Sequence, residues 1–335
     1  MDTTLPRVSI IMPTWNKEKY IAEAIDSILA QKTRFRYHVI IADDHSSDGT
    51  LDVVAKYMSA HPDMFTLLTS DENQKLYKNV IRAYAITKTP YFCVLDPDDY
   101  WIDDHFLEEA ITFLDEHEDF TIYSAGIEML CQDGSRKRCD FPTNERISTF
   151  LDYLRENAVL SFTPSSLYRN VVFSNGLPSK MTALESPTNE RTFRGDSFRN
   201  FIHIREGKAY YTPSVVSCYR LTGEGIYAGT SETSRLLLNA RIFADLWQYD
   251  DRHHIELLQI SRRLFNKVKG DLLKGWSAEK FSAGKCLPEI MEFVALSNLY
   301  LENSIELNRH LFKSLSLIKK IYLWAALKLQ KKGLI

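Results

Sequence analysis

The 335-residue chain has no run of uncharged apolar residues approaching the roughly 20 that a membrane-spanning helix needs. Its opening, MDTTLPRVSIIMP, lacks the basic region and small-residue cleavage site of a secretory signal, so the body is expected in the cytoplasm. Its five cysteines include no Cys-x-x-Cys pair and fit neither a disulfide framework nor a zinc ribbon. Cys93, Cys131, Cys139, Cys218 and Cys286 are therefore expected to be reduced packing residues. No Gly-x-Gly-x-x-Gly follows the first predicted strand and no P-loop occurs, so the two common glycine cradles for nucleotide phosphates are excluded. There is no internal repeat, no low-complexity tract and no basic excess. The net charge is −3, and seven of the 41 Lys and Arg follow residue 308, where no acid occurs. The body is thus acidic, which argues against a nucleic-acid partner. A basic tail on an acidic body is itself a partner signal.

What is present is a soluble globular composition, 44% hydrophobic and 25% charged, in a chain long enough for two domains. Residues 7–125 alternate strand and helix patterns. RVSIIMP, YHVIIADD, FTLLTS, YFCVLD and FTIYSAGIEML read as strands. Between them, KEKYIAEAIDSILAQ puts Tyr20, Ile21, Ala24, Ile25, Ile28 and Leu29 on one helical stripe, and DGTLDVVAKYMSAH, KLYKNVIRAYAITK and DDHFLEEAITFLDEH also read as helices. This rhythm predicts an α/β fold with a mostly parallel, Rossmann-like sheet and right-handed crossovers. Residues 131–225 are less regular. After about residue 230 only helical spacing remains, which predicts an all-helical C-terminal extension.

The chemistry concentrates at predicted strand ends. YFCVLDPDDYW, residues 91–101, sets Asp96, Asp98 and Asp99 directly after a buried strand. By itself this is an ordinary polar turn. Two other strands finish in IIMPTWN and IIADDHSSDGT, however, and in an open parallel sheet all three ends meet along one edge, where ligands bind. A nucleotide held without a glycine loop needs side chains for its base and a cation for its phosphates. Asp44 can accept the imide N–H of a uracil while Asp43 shapes the turn, and DPDD offers the hard oxygen ligands that Mg²⁺ or Mn²⁺ takes beside a diphosphate.

VSIIMPTWN, IIADDHSSDGT, YFCVLDPDDYW and the later FRGDSFRNF, in this order over residues 7–220, resemble the inverting nucleotide-sugar transferases of glycosyltransferase family 2, with the GT-A fold. The resemblance implies a GT-A domain over residues 1–228, with a nucleotide-sugar half at about 1–125 and an acceptor half at about 126–228, then a helical region over 229–335. It also implies a nucleotide-diphospho-sugar donor, often a UDP-sugar, with Mn²⁺ or Mg²⁺. The acceptor would be a glycan, a lipid-linked saccharide or a protein in cell-surface glycan synthesis. Site roles carry over onto Pro13 and Trp15 in the donor pocket, Asp44 on the base, Asp96 and Asp98 near the ribose, and Asp98 or Asp99 on the metal. Asn73 and Asn79 match the family pattern, while Lys78 replaces an Arg and a Gly is missing; Lys78 retains the charge without the planar fork. A His that many relatives carry after a Tyr-Arg pair is also missing, and Thr222 stands nearby. The expected catalytic base is Asp196, with Glu185 or Glu190 next in line; the competing structural role for Asp196 is an N-cap.

Two rival functions stay open at this level: a degenerate scaffold that binds nucleotide-sugar or a partner transferase, and an Asp-x-Asp phosphotransferase with Asp96 as nucleophile. TGEGIYAG, with Gly223, Gly225 and Gly229, reads equally as a lid or a surface loop. Asp250, Asp251, His253 and His254 read as a solvated helix start rather than a metal cluster, and the Arg-Gly-Asp at 194–196 carries no adhesion role. Residues 311–335 form an amphipathic pattern that either packs internally or seats on anionic lipid at the inner membrane face.

Overall fold

The computed structural model describes residues 5–182, 195–223, 231–275 and 287–303. Glu185, Glu190, Gly225, Gly229, Cys286 and the tail 311–335 lie outside the described residues. The chain divides into two compact units, Met1–Ala228 and Gly229–Ile335.

In the first unit, β1 (Val8–Thr14), β2 (Tyr37–Asp43), β3 (Phe65–Leu68) and β4 (Tyr91–Val94) are joined by α1 (Ile21–Leu29), α2 (Thr50–Ala60) and α3 (Lys75–Ile86). The four strands pair in parallel in the order β3-β2-β1-β4. All seven residues of β1 are buried, because helices cover both of its faces. Of the expected α1 stripe, Ile21, Ala24, Ile25 and Ile28 are buried in the core with Val8, Ile10 and Met12, while Tyr20 and Leu29 lie at its margin.

The chain then forms β5 (Tyr100–Trp101), α4 (Phe106–Glu116), β6 (Phe120–Leu130), β7 (Arg136–Arg138), β8 (Arg146–Ser148), α5 (Phe150–Leu154), β9 (Ser166–Arg169), α6 (Ser179–Thr182), α7 (Asp196–Ile204) and β10 (Lys208–Arg220). These complete a ten-stranded sheet whose main order is β3-β2-β1-β4-β9-β6-β10-β5. β9 lies antiparallel between β4 and β6, whereas β6 and β10 are parallel. The irregular reading of residues 131–225 therefore missed two central strands. β9 is four residues long, and β10 is interrupted by register shifts around Pro213, which break the alternation that marks a strand. Gly126 in β6 faces that irregularity: a Cβ there would sit 3.0 Å from the carbonyl oxygens of both Pro213 and Ser214.

The second unit contains α8 (Glu232–Tyr249), α9 (Ile255–Gly275) and α10 (Leu287–Glu302) among its described residues. Leu237, Ala240, Leu257, Phe265, Phe293 and Leu296 are buried there, and the Ser261 hydroxyl lies 2.6 Å from that of Tyr300. Asp250 departs from the solvated reading: it is buried at the end of α8 and accepts the backbone N–H of His254 at 3.2 Å, joining one helix to the next. Among the described residues no helix is long and apolar enough to cross a membrane.

Candidate active site

The crevice begins where β1 outruns β4. Their pairing ends at Ile11 and Val94, while β1 continues beside β2 to Thr14. Ile11 accepts a bond from Leu95 on the β4 side and Thr14 accepts one from Asp44 on the β2 side. The alternation aims the missing N–H of Pro13 past the end of β4, where no ladder bond is lost. Trp15 follows, 52% exposed.

Side chains tie the loops after β1 and β2 together. Asn16 adopts a left-handed conformation (φ 51°), which Asn tolerates, and its Oδ1 accepts the Ser47 N–H at 2.8 Å. The Lys17 N–H donates to Thr50 Oγ1 at 2.8 Å, and the Gly49 N–H to Glu18 at 3.0 Å. Asp43 accepts the Ser46 N–H at 2.9 Å and so shapes the turn. Asp44 is buried and commits Oδ1 to the Gln74 N–H at 2.8 Å. Asn73 accepts the Lys75 N–H at 3.1 Å at the start of α3. Farther along this helix Lys78 is exposed, and the buried Asn79 donates to the Ala42 carbonyl at 2.6 Å. Arg82 reaches the carbonyls of Thr69 and Asp43 at 2.6 and 3.1 Å, a guanidinium at the ends of β2 and β3 that the sequence reading did not single out.

After β4, Asp96-Pro97-Asp98-Asp99 closes a tight turn in which the Asp99 N–H donates to the Asp96 carbonyl at 2.9 Å; Pro97 suits its second position. Asp99 corrects one expectation, because it lies 2% exposed rather than open to the crevice. Its Oδ1 accepts the Arg220 N–H at 2.9 Å and the Arg220 Nε–H donates to the Asp98 carbonyl at 3.1 Å, fastening the turn to β10. Asp99 Oδ2 is buried with no hydrogen-bond partner. Burial, then the charge of Asp96, holds the Asp99 carboxyl well above the usual range. The partly buried Asp96 is pushed up to about 6 by burial and then by Asp98, against the pull of Arg199 and Lys17.

Asp196 is the first residue of α7. The N-cap is Gly195, so the capping role weighed for Asp196 does not hold; its Oδ1 instead accepts the N–H of Ser197 at 2.7 Å. Its charge raises Asp96, and Tyr219 in β10 is raised to about 12 by burial and by all four carboxylates, Asp99, Asp96, Asp98 and Asp196. Asp196 and the strand-end acids therefore share one electrostatic environment. One turn along α7, buried Arg199 donates to Tyr84 Oη at 3.2 Å and Thr163 Oγ1 at 2.7 Å. Burial opposes its charge, but Tyr84, Tyr168 and Asp196 hold it protonated. Sequence reasoning passed over Arg199, although its spacing of three from Asp196 on a predicted helix places both on one side. It also missed Lys17, whose Nζ lies 2.6 Å from Asp98 Oδ2.

The all-oxygen set at Asp98 and Asp99 includes one orphaned buried oxygen and adjoins Asp96, whose carboxyl, like that of Asp99, is raised by burial and then by a neighbouring acid; such a set fits a hard divalent cation. Asp103, Asp104 and His105 also bring ligand atoms within 4.8 Å of one another. Asp103 is turned to the His105 N–H at 2.8 Å and Asp104 to Lys32 at 2.5 Å, the pattern of a charged helix start.

The model of the family described as "Glycosyl transferase family 2" matches residues 9–174, from the second residue of β1 through β9, with Asp44, Asp96, Asp98 and Asp99 inside the match. Residues 9–174 form a glycosyltransferase family 2 domain. A Mycobacterium tuberculosis relative is 26% identical over 223 residues, 66% of this chain; the match spans 60% of that protein's length. The putative glycosyltransferase EpsE of Bacillus subtilis is 30% identical over 131 residues, 39% of this chain and 46% of EpsE. The Staphylococcus aureus poly(ribitol-phosphate) beta-N-acetylglucosaminyltransferase TarS is 27% identical over 214 residues, 61% of this chain and 35% of TarS. The crystal structure of TarS residues 1–349 in complex with UDP-GlcNAc superposes with a TM-score of 0.62 at 18% identity, covering 88% of this chain and 81% of that one. The likeness is one of fold: a family 2 domain of GT-A type, followed by helices.

Proposed function

We propose that the chain is an inverting glycosyltransferase that moves a sugar from a nucleotide-diphospho-sugar, a UDP-sugar foremost, to an acceptor hydroxyl. The observation that carries this reading is the grouping of Asp96, Asp98 and Asp99 in the turn after β4, at the carboxyl edge of a family 2 sheet, with Asp98 paired to Lys17 and Asp196 near enough for its charge to raise Asp96. TarS, of the same fold, has been crystallised with UDP-GlcNAc. Trp15 and Pro13 line the nucleotide's entrance and Asp44 receives its base. Asp98 and Asp99 would hold Mn²⁺ or Mg²⁺, which when bound supplies positive charge to the departing diphosphate. Asp196 takes the proton of the acceptor hydroxyl as its oxygen bonds to the anomeric carbon; the bond from that carbon to the diphosphate oxygen breaks, and the nucleotide leaves with the electron pair. Arg199, buried one turn along α7, places a positive charge that lowers Asp96 and is itself favoured by Asp196. The phosphotransferase reading, with Asp96 as nucleophile, gives no role to Asp44 or Asp196. The acceptor is a glycan, a lipid-linked saccharide or a protein, and the work site is the cytoplasm or the inner membrane face.

A thermal-shift panel of nucleotides and nucleotide-sugars, with and without Mn²⁺, tests the donor. Uridine diphosphate and a UDP-sugar are expected to raise the melting temperature, more so with Mn²⁺. No shift with any uridine nucleotide would overturn the donor assignment. Release of free sugar from the donor separates a working transferase from a binding-only scaffold.

A further inference from the structure

Lys17 lies on the oxygen that a divalent cation would use. Its Nζ is 2.6 Å from Asp98 Oδ2, and the two side chains are only 21% and 18% exposed. The backbone around it is fixed: the Lys17 N–H donates to Thr50 Oγ1 at 2.8 Å, and its carbonyl accepts the N–H groups of Tyr20 and Ile21 at 2.9 and 3.0 Å. The side chain, by contrast, is a flexible four-carbon stem ending in a compact point charge. Its charge also reaches Asp96, whose carboxyl it lowers. The crevice therefore contains its own mobile counter-ion among crowded acids.

We propose that Lys17 is an exchangeable cation, resting on Asp98 in the metal-free protein and passing to the donor's diphosphate when a divalent ion takes Asp98. The exchange follows from charge. A divalent ion on the Asp98 carboxylate repels an ammonium 2.6 Å from the same oxygen, while the diphosphate brought with that ion attracts it. No proton is transferred and no covalent bond changes. Lys17 thus opposes metal binding to the empty protein and favours it in the presence of nucleotide, which couples the two ligands. This rests on the reading of the crevice as the nucleotide-sugar site, and it supplies the diphosphate cation that the exposed Lys78 was expected to provide.

The test uses the full chain and its Lys17→Met and Lys17→Arg variants. Mn²⁺ affinity is measured without nucleotide, by the paramagnetic resonance of free Mn²⁺, and UDP affinity at saturating Mn²⁺, by calorimetry. Lys17→Met is expected to bind Mn²⁺ about tenfold more tightly and UDP about tenfold more weakly, each shift being about 1.4 kcal/mol. Lys17→Arg is expected to return both constants toward the parent. The opposite signs are decisive, because a purely structural ion pair moves neither constant, and a general loosening of the site weakens both. Either of those results overturns the proposal while leaving the donor-site reading intact, provided the parent binds both ligands. A parent that binds neither Mn²⁺ nor UDP overturns the proposal and the reading together.

Discussion

The early and late halves of the first unit bring carboxylates to the same crevice by different routes. In the early half, residues 8–101, each strand-end loop is held by contacts between neighbouring crossovers: Asn16 to Ser47, Lys17 to Thr50 and Asp44 to Gln74 are all separated by about 30 residues. In the later half the decisive bonds span far more chain, 121 residues from Asp99 to Arg220 and 115 from Arg199 to Tyr84. Repeating strand-loop-helix units build the early half almost locally. The later half is complete only once β9 has entered the sheet antiparallel between β4 and β6 and β10 has paired with β6.

The largest expected effect breaks the chemistry and spares the scaffold. Asp196→Asn keeps an oxygen for the Ser197 N–H, so UDP affinity should stay near the parent value while turnover falls about a hundredfold or more. Transfer at close to the parental rate, with saturating donor and acceptor, would move the base elsewhere. Next comes the long-range half's own anchor. Arg199→Met removes a buried cation from among Tyr84, Tyr168 and Asp196, and should cost about 3 kcal/mol in urea unfolding. A loss below about 1 kcal/mol would show that the later half does not depend on this charge.

A smaller effect sharpens the contrast at the turn where the halves meet. Asp96 is raised to about 6 and Asp99 well above the usual range, so the folded protein binds these protons more tightly than the unfolded chain, whose Asp carboxyls titrate near pH 3.9. Each contribution to stability is full below about pH 4 and is lost as pH rises through the group's raised folded value, about 6 for Asp96. The metal-free melting temperature should therefore fall between pH 5 and pH 7, and Asp99→Asn should flatten that slope. An equal slope in parent and variant would show that the crowding is relieved by other means. The smallest effect belongs to the early half: Gly49→Ala would place a Cβ 2.5 Å from the Glu18 carboxylate, but a flexible side chain can yield, so a loss of only about 1 kcal/mol is expected in thermal melts.

The same contrast explains what could be read in advance. The parallel strands β1 to β4, the α1 stripe and the acids at the ends of β2 and β4 were legible because hydrophobic period and turn chemistry are local. β9 and β10 were not, since four residues and a Pro213 irregularity carry little periodic signal. Within the site, the turn role of Asp43 followed from its sequence setting. The burial of Asp99 did not, because it depends on the Arg220 backbone arriving from another strand. Lys17 looked like an ordinary charge at a helix start, and only its distance to Asp98 distinguishes it.

The central claim is that the edge formed by β1, β2 and β4 reads a uridine nucleotide through Asp44. Calorimetry of UDP binding in the presence of Mn²⁺, on the parent and on Asp44→Asn, tests it most directly. The variant keeps an acceptor for the Gln74 N–H and so preserves the loop, but its amide puts a donor where the second carboxylate oxygen would accept the uracil imide. The account predicts measurable binding by the parent and a loss of about tenfold or more in the variant, the scale of a hydrogen bond to a charged group. Equal UDP affinity in the two proteins would contradict it.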